Sequence, residues 1–378
     1  MLSGKVEFEG LTGVGSVRLD LVPDQHVYTF IGANGVGKTK TLEALFQVMF
    51  SSNTGIISSL RNTFSSVSQR FSKFYCMKSG LITINKMENG NVHINQLITA
   101  FNSLTHSAPV IFIGAQARGE VRHDKNALTN GLGSFEERRD SYFQLVSIQM
   151  ESNFASLTTG NSIESWFVAL AQSSNPYQKK EDNREIEIKT VIKLLHHIDS
   201  RIDPEFLEIS GDNRVSLKVE GQKRELSQLS SGFTSILKLI QAIVSGYGYF
   251  TNETNLQHVK GVVLIDEIES HLHLTWQANI IPLLKKLFPH TTFYITTHSS
   301  IVLSQLQEGE AYKLERDSDG VVKSQVIEAP NKAALIDIMN DVFNVDLNQM
   351  KLDNSSADDQ KEAKASLLQL LKQQGAEK

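Results

Sequence analysis

One stretch constrains the fold of this chain more than any other, the sequence VYTFIGANGVGKTKTLEALF at positions 27–46. It passes from β-branched and aromatic residues into a glycine-rich turn and then into residues that favour a helix. The turn has the spacing G-x-x-x-x-G-K-[ST], in which backbone N–H groups and a helix N-terminus surround phosphate oxygens. It comprises Gly32, Ala33, Asn34, Gly35, Val36, Gly37, Lys38 and Thr39. The sequence therefore predicts a nucleoside triphosphate site between a strand and a helix.

The residues at the end of this turn carry its predicted chemistry. Lys38 can reach the β- and γ-phosphates as a point charge, and the hydroxyl of Thr39 can bind Mg²⁺. Lys40, the next residue, is included among the candidate nucleotide-binding residues. We therefore expect ATP and Mg²⁺ as the cofactors of this chain.

Composition narrows the class of protein. The 378 residues are 40% hydrophobic and 21% charged, with a net charge of −5, and are enough for a large core and more than one lobe. No apolar run is long enough to span a membrane, and the N-terminus lacks the apolar core of a signal peptide. The single cysteine, Cys76, excludes an internal disulfide. We expect a cytoplasmic protein without a membrane partner, and the acidic balance argues against strong non-specific DNA binding by the whole chain.

Hydrophobic periodicity predicts an α/β fold in four segments. These are 1–118, which contains the phosphate-binding loop; 119–225, a mainly helical insertion; 226–325, a second α/β half; and 326–378, a charged tail. Strands are predicted at 27–31, 109–114, 262–267 and 292–297, with two more between 4 and 22. Helices are predicted after the loop to about 51, at 181–202 and at 276–288, and hairpins at 81–94 and 206–219.

A second group of polar residues follows the strands of the later half. The apolar run at 262–265 ends in Asp266 and Glu267, and a further strand runs into Thr-Thr-His-Ser with His298. Asp266 is predicted to bind Mg²⁺, Glu267 to take a proton from the attacking water, and His298 to contact the γ-phosphate. An exposed Asp-Glu pair after a core strand is the alternative, but its place downstream of a phosphate loop favours the catalytic interpretation. His271 and His273 are not expected to bind zinc, because they do not share a helix face and no third ligand is nearby.

The segment Leu229-Ser230-Ser231-Gly232 precedes a long apolar helix. A serine N-cap explains it sufficiently. The same exposed N–H groups and hydroxyl can also form an anion site, and Ser231 and Gly232 are candidates to contact a γ-phosphate held by another subunit.

Taken together, four motifs resemble those of ABC-type ATPases. They are GANGVGKT, LSSG, IDEIESHLH and TTHS, which are similar to the Walker A, signature, Walker B with D-loop, and switch-histidine motifs. The similarity is to the RecF/SMC/OLD-like branch, although Ile268 and Leu274 replace two prolines of its DEPExxLHP pattern and Phe233 replaces an acidic or amide residue. The resemblance covers about 1–50, 108–118 and 226–300.

This resemblance implies an α/β ABC-type P-loop NTPase head with a mixed sheet, an antiparallel β subdomain and a mainly helical insertion. It also implies a homodimer or higher oligomer, in which Lys38 and Thr39 of one subunit face Ser231 and Gly232 of the other across ATP. The family's glutamine that links Mg²⁺ to the helical lobe corresponds to Gln116, with Gln144 and Gln149 as competing candidates.

Two kinds of function follow from the resemblance, and a third remains open. The chain resembles the ATPase subunits of anti-phage systems such as Septu, PARIS or retron modules, which predicts a separate effector protein, a nuclease or a toxin. The alternative is a DNA-maintenance ATPase that binds nucleic acid through a phosphate groove. That groove would be formed by Arg118, Arg122, Lys125, Arg138 and Arg139, although the interleaved glutamates favour an ordinary solvated surface. The third possibility is a nucleotide sensor without catalysis.

Overall fold

A ten-stranded mixed sheet organises the chain in the computed structural model. The structure describes residues 2–63, 76–79, 82–85, 104–118, 133–157, 162–174, 177, 179, 181–343, 345–346 and 349–350. The chain forms two compact units, Met1–Asn331 and Lys332–Lys378. None of the helices in the described ranges combines the length and the apolar character that a bilayer crossing needs.

Thirteen strands are defined in the described ranges, and they form two sheets. The strands are β1 Gly4–Leu11, β2 Gly15–Leu21, β3 Val27–Ile31, β4 Cys76–Ser79, β5 Ile82–Asn85, β6 Val110–Ile113, β7 Ile202–Ile209, β8 Val215–Val219, β9 Gln222–Glu225, β10 Val262–Ile265, β11 Thr292–Thr296, β12 Ala311–Arg316 and β13 Val322–Val326. The large sheet has the order β5-β4-β1-β2-β13-β12-β3-β11-β10-β6, and β7-β8-β9 form a separate antiparallel sheet.

The α-helices of the described ranges lie between these strands. They are α1 Lys38–Ser51, α2 Thr54–Thr63, α3 Phe135–Ser152, α4 Ile163–Ser173, α5 Glu185–Ile198, α6 Ser231–Phe250, α7 Leu274–Gln277, α8 Ile280–Leu287, α9 Ser300–Leu303 and α10 Leu335–Asp341. Helices α3 to α5 and the three-stranded sheet make up the inserted region between β6 and α6, and α10 belongs to the second compact unit. The mixed sheet, the antiparallel subdomain and the helical insertion of an ABC-type P-loop head are thus all present.

Five neighbouring strands, β12, β3, β11, β10 and β6, run parallel in the large sheet. Every residue of β3, β6 and β10 is buried, which explains why these strands are continuous apolar runs without polar alternation. Because parallel strands end at the same edge of a sheet, the residues after β3, β6, β10 and β11 meet there. This edge contains the phosphate-binding loop after β3, Asp266 and Glu267 after β10, and His298 after β11.

Most of the predicted local elements are confirmed, with one helix and one pairing as exceptions. The predicted helix at 276–288 is wrong, because the structure has two short helices, α7 and α8. Pro282 lies in the first turn of α8, where a missing N–H is tolerated, whereas a continuous helix would put it in the interior. β5 pairs antiparallel with β4, and the other half of the predicted hairpin at 81–94 lies outside the described residues.

Four strands escaped prediction, β4, β9, β12 and β13, and the last two form a hairpin around a turn at 317–320. Their sequences AYKLER and VKSQV are rich in charged and polar residues, so they resemble a charged tail more than a core element. In the sheet, however, β12 pairs with β3 and β13 pairs with β2. The hairpin therefore joins the N-terminal strands to the strand that carries the phosphate-binding loop.

Candidate functional site

The phosphate-binding loop, residues 32–37, joins buried strand β3 to helix α1, and close contacts require glycine at its first and last positions. Gly32 has φ 149°, and a Cβ there would lie 2.4 Å from the carbonyl oxygen of Leu314 in β12. Gly37 has φ 112°, and a Cβ there would lie 2.7 Å from a methyl group of Val14. The first turn of α1 contains no acidic residue of its own, so its N-terminal N–H groups attract an anion. The loop is therefore built to accept an anion.

Lys38 folds back over this loop. Its Nζ donates hydrogen bonds to the carbonyl oxygens of Gly32 and Ala33 at 2.8 and 3.1 Å. The side chain is buried, and burial lowers the pKa of the ammonium, while Asp266 and the glutamates next to it oppose this shift. Lys38 is thus held at the mouth of the loop by neutral acceptors that a phosphate oxygen can replace.

Asp266 connects the loop to the end of β10. Its Oδ1 accepts hydrogen bonds from Thr39 Oγ1 at 2.9 Å and from Thr296 Oγ1 at 2.6 Å. Burial raises the pKa of Asp266, against the lowering effect of these two hydrogen bonds. Thr39 uses its proton toward Asp266, so its oxygen lone pairs remain available to a cation. A hydroxyl and a carboxylate side by side are the oxygen donors that Mg²⁺ takes alongside phosphate and water, so the residues fit this metal.

Glu267 follows with an unusual backbone conformation, φ 46°, which is sparsely populated by residues other than glycine. Its N–H donates to Thr296 Oγ1 at 2.8 Å, and its carbonyl oxygen accepts from Arg118 Nη2 at 2.5 Å. Its carboxylate accepts a 3.0 Å hydrogen bond from the hydroxyl of Ser270. Contacts on both sides therefore hold the predicted general base in a conformation that the chain would not adopt unaided.

Glu269 is a site residue that the sequence reasoning missed. Its carboxylate accepts hydrogen bonds from Thr297 Oγ1 and from the backbone N–H of His298, both at 2.6 Å. The imidazole of His298 is exposed beyond this contact. The two motifs contact each other residue by residue. Each threonine of Thr-Thr-His-Ser donates a hydrogen bond to one carboxylate of Asp-Glu-Ile-Glu, and the sequence reasoning did not consider this correspondence. This arrangement ties the turn after β10 to the turn after β11.

Arg118 corrects an earlier interpretation. The predicted phosphate groove includes it, but the structure buries its side chain, with 2% exposed, and its Nη2 donates to the carbonyl oxygens of Asp266 and Glu267. Burial lowers the pKa of its guanidinium to about 10, while Glu269, Asp266 and Glu267 oppose this shift. A cation held inside by backbone acceptors cannot contact an external nucleic acid.

Arg138 is likewise misplaced in the predicted groove. It is buried, and it donates to the Gly133 carbonyl at 2.8 Å and lies 3.6 Å from Asp182. Arg139 is more exposed and lies 3.4 Å from Asp140. The remaining groove candidates, Arg122 and Lys125, lie outside the described residues.

The signature segment begins helix α6. The side chain of Ser230, the N-cap, accepts a 3.3 Å hydrogen bond from Phe233 N–H, as the capping interpretation predicted, and Ser231 is exposed. Gly232 is buried against the loop after β10, because a Cβ there would lie 2.7 Å from the imidazole of His273. The signature segment and the residues after Glu267 therefore touch within one chain.

The remaining candidates lie at the margin of this edge. Gln116 is exposed on a short 3₁₀ helix, Ala115–Arg118, directly after β6, and its Oε1 accepts from Ser156 Oγ at 3.3 Å. Its competitors Gln144 and Gln149 lie on α3. Lys40 forms an ion pair of 2.8 Å with Glu43 on α1. The roles of these residues stay predictions.

The mixed sheet, with the phosphate-binding motif between β3 and α1, has a P-loop NTPase fold. Residues 132–304, less than half of the chain, match the profile of a family described as AAA domain, putative AbiEii toxin, Type IV TA system. Over 125 residues it is 40% identical to "Retron Ec83 probable ATPase" of Escherichia coli, a match that covers 31% of this chain and 22% of that protein. Over 343 residues it is 24% identical to "Septu protein PtuA" of Bacillus thuringiensis, covering 86% of this chain and 78% of that protein.

Among solved structures, an SMC head bound to the C-winged helix domain of ScpA aligns with a TM-score of 0.45 and 13% identity, over 87% of this chain and 98% of that one. The chain spans less than a quarter of the length of its retron relative and about three quarters of the length of its Septu relative. The chain is therefore similar in sequence to a probable retron ATPase and to a Septu protein.

Proposed function

We propose that this chain binds ATP with Mg²⁺, hydrolyses it to ADP and phosphate, and uses the ATP-bound state to assemble with a second copy of itself. The observation that carries this proposal is the shared hydrogen bonding of Asp266 Oδ1. It links Thr39 of the phosphate-binding loop to Thr296 beside the switch histidine at 2.9 and 2.6 Å. Three segments that are far apart in the sequence thus meet where a triphosphate would end.

The proposed roles follow from this geometry. The loop N–H groups and Lys38 bind the β- and γ-phosphates, and Thr39 and Asp266 hold the metal. When bound, Mg²⁺ supplies positive charge that offsets the charge of the phosphate oxygens. Glu267 orients the attacking water and accepts its proton, and His298 donates a hydrogen bond to the γ-phosphate. Gln116 is proposed to contact the metal side of the site from the 3₁₀ helix.

The second copy is proposed to complete the site through its signature segment. Ser231 is exposed at the N-terminus of a 20-residue helix, and next to it Gly232 allows the imidazole of His273 to approach. A helix N-terminus with a hydroxyl attracts an anion, and a γ-phosphate held by the other copy supplies one. Leu274, which follows His273 in the sequence, is 66% exposed, and association of two copies could bury this side chain.

The proposed biological role is in anti-phage defence. Similarity to a retron ATPase and to Septu PtuA supports it, and it predicts that the ATP state gates a separate effector protein, a nuclease or a toxin. ATP as the substrate implies a cytoplasmic location. The alternative, a DNA-maintenance ATPase, has less support, because Arg118 and Arg138 of the predicted groove are buried.

Turnover of ATP by purified variants tests the enzymatic part. We expect Glu267→Gln to lower kcat by about 100-fold or more, since removal of the general base leaves only binding and charge stabilisation. Lys38→Ala should abolish ATP binding, and Glu253→Gln, at an exposed position that has no proposed role in the site, should match the wild type. Equal turnover by Glu267→Gln and the wild type would overturn the hydrolysis proposal and leave a nucleotide sensor.

Mass by light scattering tests the assembly part. The Glu267→Gln variant should double in mass when ATP and Mg²⁺ are added, and Lys38→Ala should keep the same mass. An unchanged mass of Glu267→Gln with saturating ATP would contradict dimerisation around the nucleotide.

For the effector, affinity purification from native cells should recover a nuclease or a toxin with the wild type, and its absence would contradict the gating role.

A further inference from the structure

Arg118 lies directly behind the proposed catalytic carboxylates. It is the last residue of the 3₁₀ helix Ala115–Arg118, which follows β6, the neighbour of β10 in the sheet. Its Nη2 donates to the carbonyl oxygens of Asp266 at 2.9 Å and of Glu267 at 2.5 Å. One nitrogen of the guanidinium group therefore holds two consecutive carbonyl groups at the end of β10.

Burial of the Arg118 side chain lowers the free energy of unfolding. Only 2% of the residue is exposed, and its Nε and Nη1 have no hydrogen-bond partner in the structure as described. A buried donor without an acceptor loses its hydration without compensation, and a buried charge loses more. Hydrophobic residues of similar volume often serve packing better than such a group, so packing alone does not account for Arg118.

The surroundings explain what the charge does. Asp266, Glu267 and Glu269 place three carboxylates within four residues, and each of them attracts both Arg118 and Lys38. Lys38 approaches these carboxylates from the phosphate-binding loop, and Arg118 adds a second positive charge from the backbone side of the turn. Without these positive charges, like-charge repulsion would push the carboxylates apart.

The backbone conformation of Glu267 is a second reason to assign Arg118 a role beyond packing. Its φ of 46° lies in the left-handed region, which a glutamate adopts at a cost unless neighbouring contacts impose it. The hydrogen bond from Arg118 to its carbonyl and the bond from its N–H to Thr296 hold the residue from both sides. Small displacements of a catalytic group have large effects on rate, so the backbone here is a sensitive point.

We propose that Arg118 is a positioning residue for ATP hydrolysis, which holds the Asp266–Glu267 peptides so that the two carboxylates keep their places toward the metal and the attacking water. This inference rests on the proposed function, because it requires that Glu267 act in hydrolysis. Arg118 touches neither ATP nor water, so its loss slows turnover and leaves nucleotide binding, which the loop provides, unchanged.

The test compares two buried arginines. Arg184 is also 2% exposed and forms a 2.8 Å ion pair with Glu187 in the inserted region, so Arg184→Lys matches Arg118→Lys in chemistry and burial. Both variants should lose thermal stability. Only Arg118→Lys should lower kcat, by about 10- to 100-fold, the usual effect of removing a residue that orients catalytic ligands. The dissociation constant for fluorescent ATP and the KM should stay within about threefold in both variants.

Chemical rescue gives a readout that loss of structure cannot produce. Arg118→Ala leaves a space bounded by two carbonyl oxygens, and free guanidinium at non-denaturing concentration should raise the kcat of this variant several-fold. The same addition should not raise the kcat of Arg184→Ala or of the wild type. If Arg118→Ala is too unstable to purify, Arg118→Lys alone decides through its kcat relative to Arg184→Lys.

The outcomes separate this inference from the proposed function. If wild-type turnover depends on Glu267 and Arg118→Lys keeps the wild-type kcat, the positioning role is wrong while hydrolysis stands. If Arg118→Lys and Arg184→Lys lose kcat equally, Arg118 serves only stability, which also overturns the inference. If turnover does not depend on Glu267, the proposed function fails first, and any effect of Arg118 cannot be ascribed to this positioning.

Discussion

Thr296 and Asp266 are joined by a hydrogen bond of 2.6 Å from the threonine hydroxyl to Oδ1 of the carboxylate. The same hydroxyl oxygen accepts the N–H of Glu267 at 2.8 Å. One side chain at the end of β11 therefore fixes both acidic residues at the end of β10. Thr297 makes the corresponding contact to Glu269, so the two strand ends are connected twice.

Replacement of this hydroxyl tests how much the connection contributes. Thr296→Val keeps the shape but leaves the N–H of Glu267 without an acceptor, so the free energy of unfolding should fall by about 1–3 kcal/mol. Turnover should fall by about 10- to 100-fold, since the carboxylates lose their orienting partner. Thr29→Val on the adjacent strand β3 is the control, because that hydroxyl is buried and has no hydrogen-bond partner among the residues that the structure describes. Urea unfolding and ATP turnover measure both effects, and an equal response of the two variants would contradict the prediction.

The glycines of the loop should differ in their tolerance of a methyl group. Gly32→Ala would place Cβ 2.4 Å from the Leu314 carbonyl, and we expect a loss of about 2–5 kcal/mol from backbone strain and overpacking. Gly35 also has a positive φ, 77°, but nothing lies within 4 Å of its Cβ position, so Gly35→Ala should cost only about 1–2 kcal/mol. Denaturant midpoints of the two variants make the comparison, and equal losses would show that strain alone matters.

The contact between Gly232 and His273 predicts a pair of linked effects on assembly. Gly232→Ala would put Cβ 2.7 Å from the imidazole and displace the loop after β10, so ATP-dependent dimerisation should weaken at least about tenfold, or 1.4 kcal/mol. The double variant Gly232→Ala/His273→Ala removes the obstacle and should recover part of this loss. Light scattering with ATP in the Glu267→Gln background measures dimerisation of both variants. If the double variant shows no recovery, the effect of Gly232→Ala does not arise from its contact with His273.

The affinity for ATP should depend on pH through Lys38. Burial lowers the pKa of its ammonium from 10.5, and bound phosphates favour the charged form. Affinity should therefore be highest while Lys38 is protonated and should fall as pH rises toward its pKa, beginning below 10.5. Lys38→Arg stays protonated throughout this range and should bind more weakly but without the decline. Titration with fluorescent ATP across neutral and alkaline pH tests this prediction. If the affinities of the wild type and of Lys38→Arg fall in parallel, a group other than Lys38 causes the decline.

The sequence was sufficient to predict the parts of the site whose spacing is local. The phosphate-binding loop is one contiguous motif, and Asp266 and Glu267 follow an apolar strand, so their places could be predicted without knowing the neighbours of that strand. The rule that parallel strands end at one edge accounts for the closeness of Thr39 and Asp266, whereas their 2.9 Å hydrogen bond is a finding of the structure.

What the sequence did not reveal depends on contacts between distant segments. Glu269 and Arg118 act through backbone groups of other strands, and nothing in their local patterns distinguishes them from surface charges. Arg118 stands in a polar stretch, AQARGE, which is equally typical of an exposed loop. The hairpin of β12 and β13 was missed for a similar reason, since its pairing partners lie about 300 residues earlier in the chain.

That hairpin has a consequence for the order in which the molecule forms during synthesis. The first glycine of the phosphate-binding loop lies against Leu314 in β12, and Arg316 donates to the carbonyl of Val14, which in turn lies against Gly37. During synthesis the nucleotide motif at 32–39 leaves the ribosome long before residues 311–316, which form the strand that borders it. The motif therefore waits for a much later segment, and a chain that stops before residue 311 carries the motif without its supporting strand.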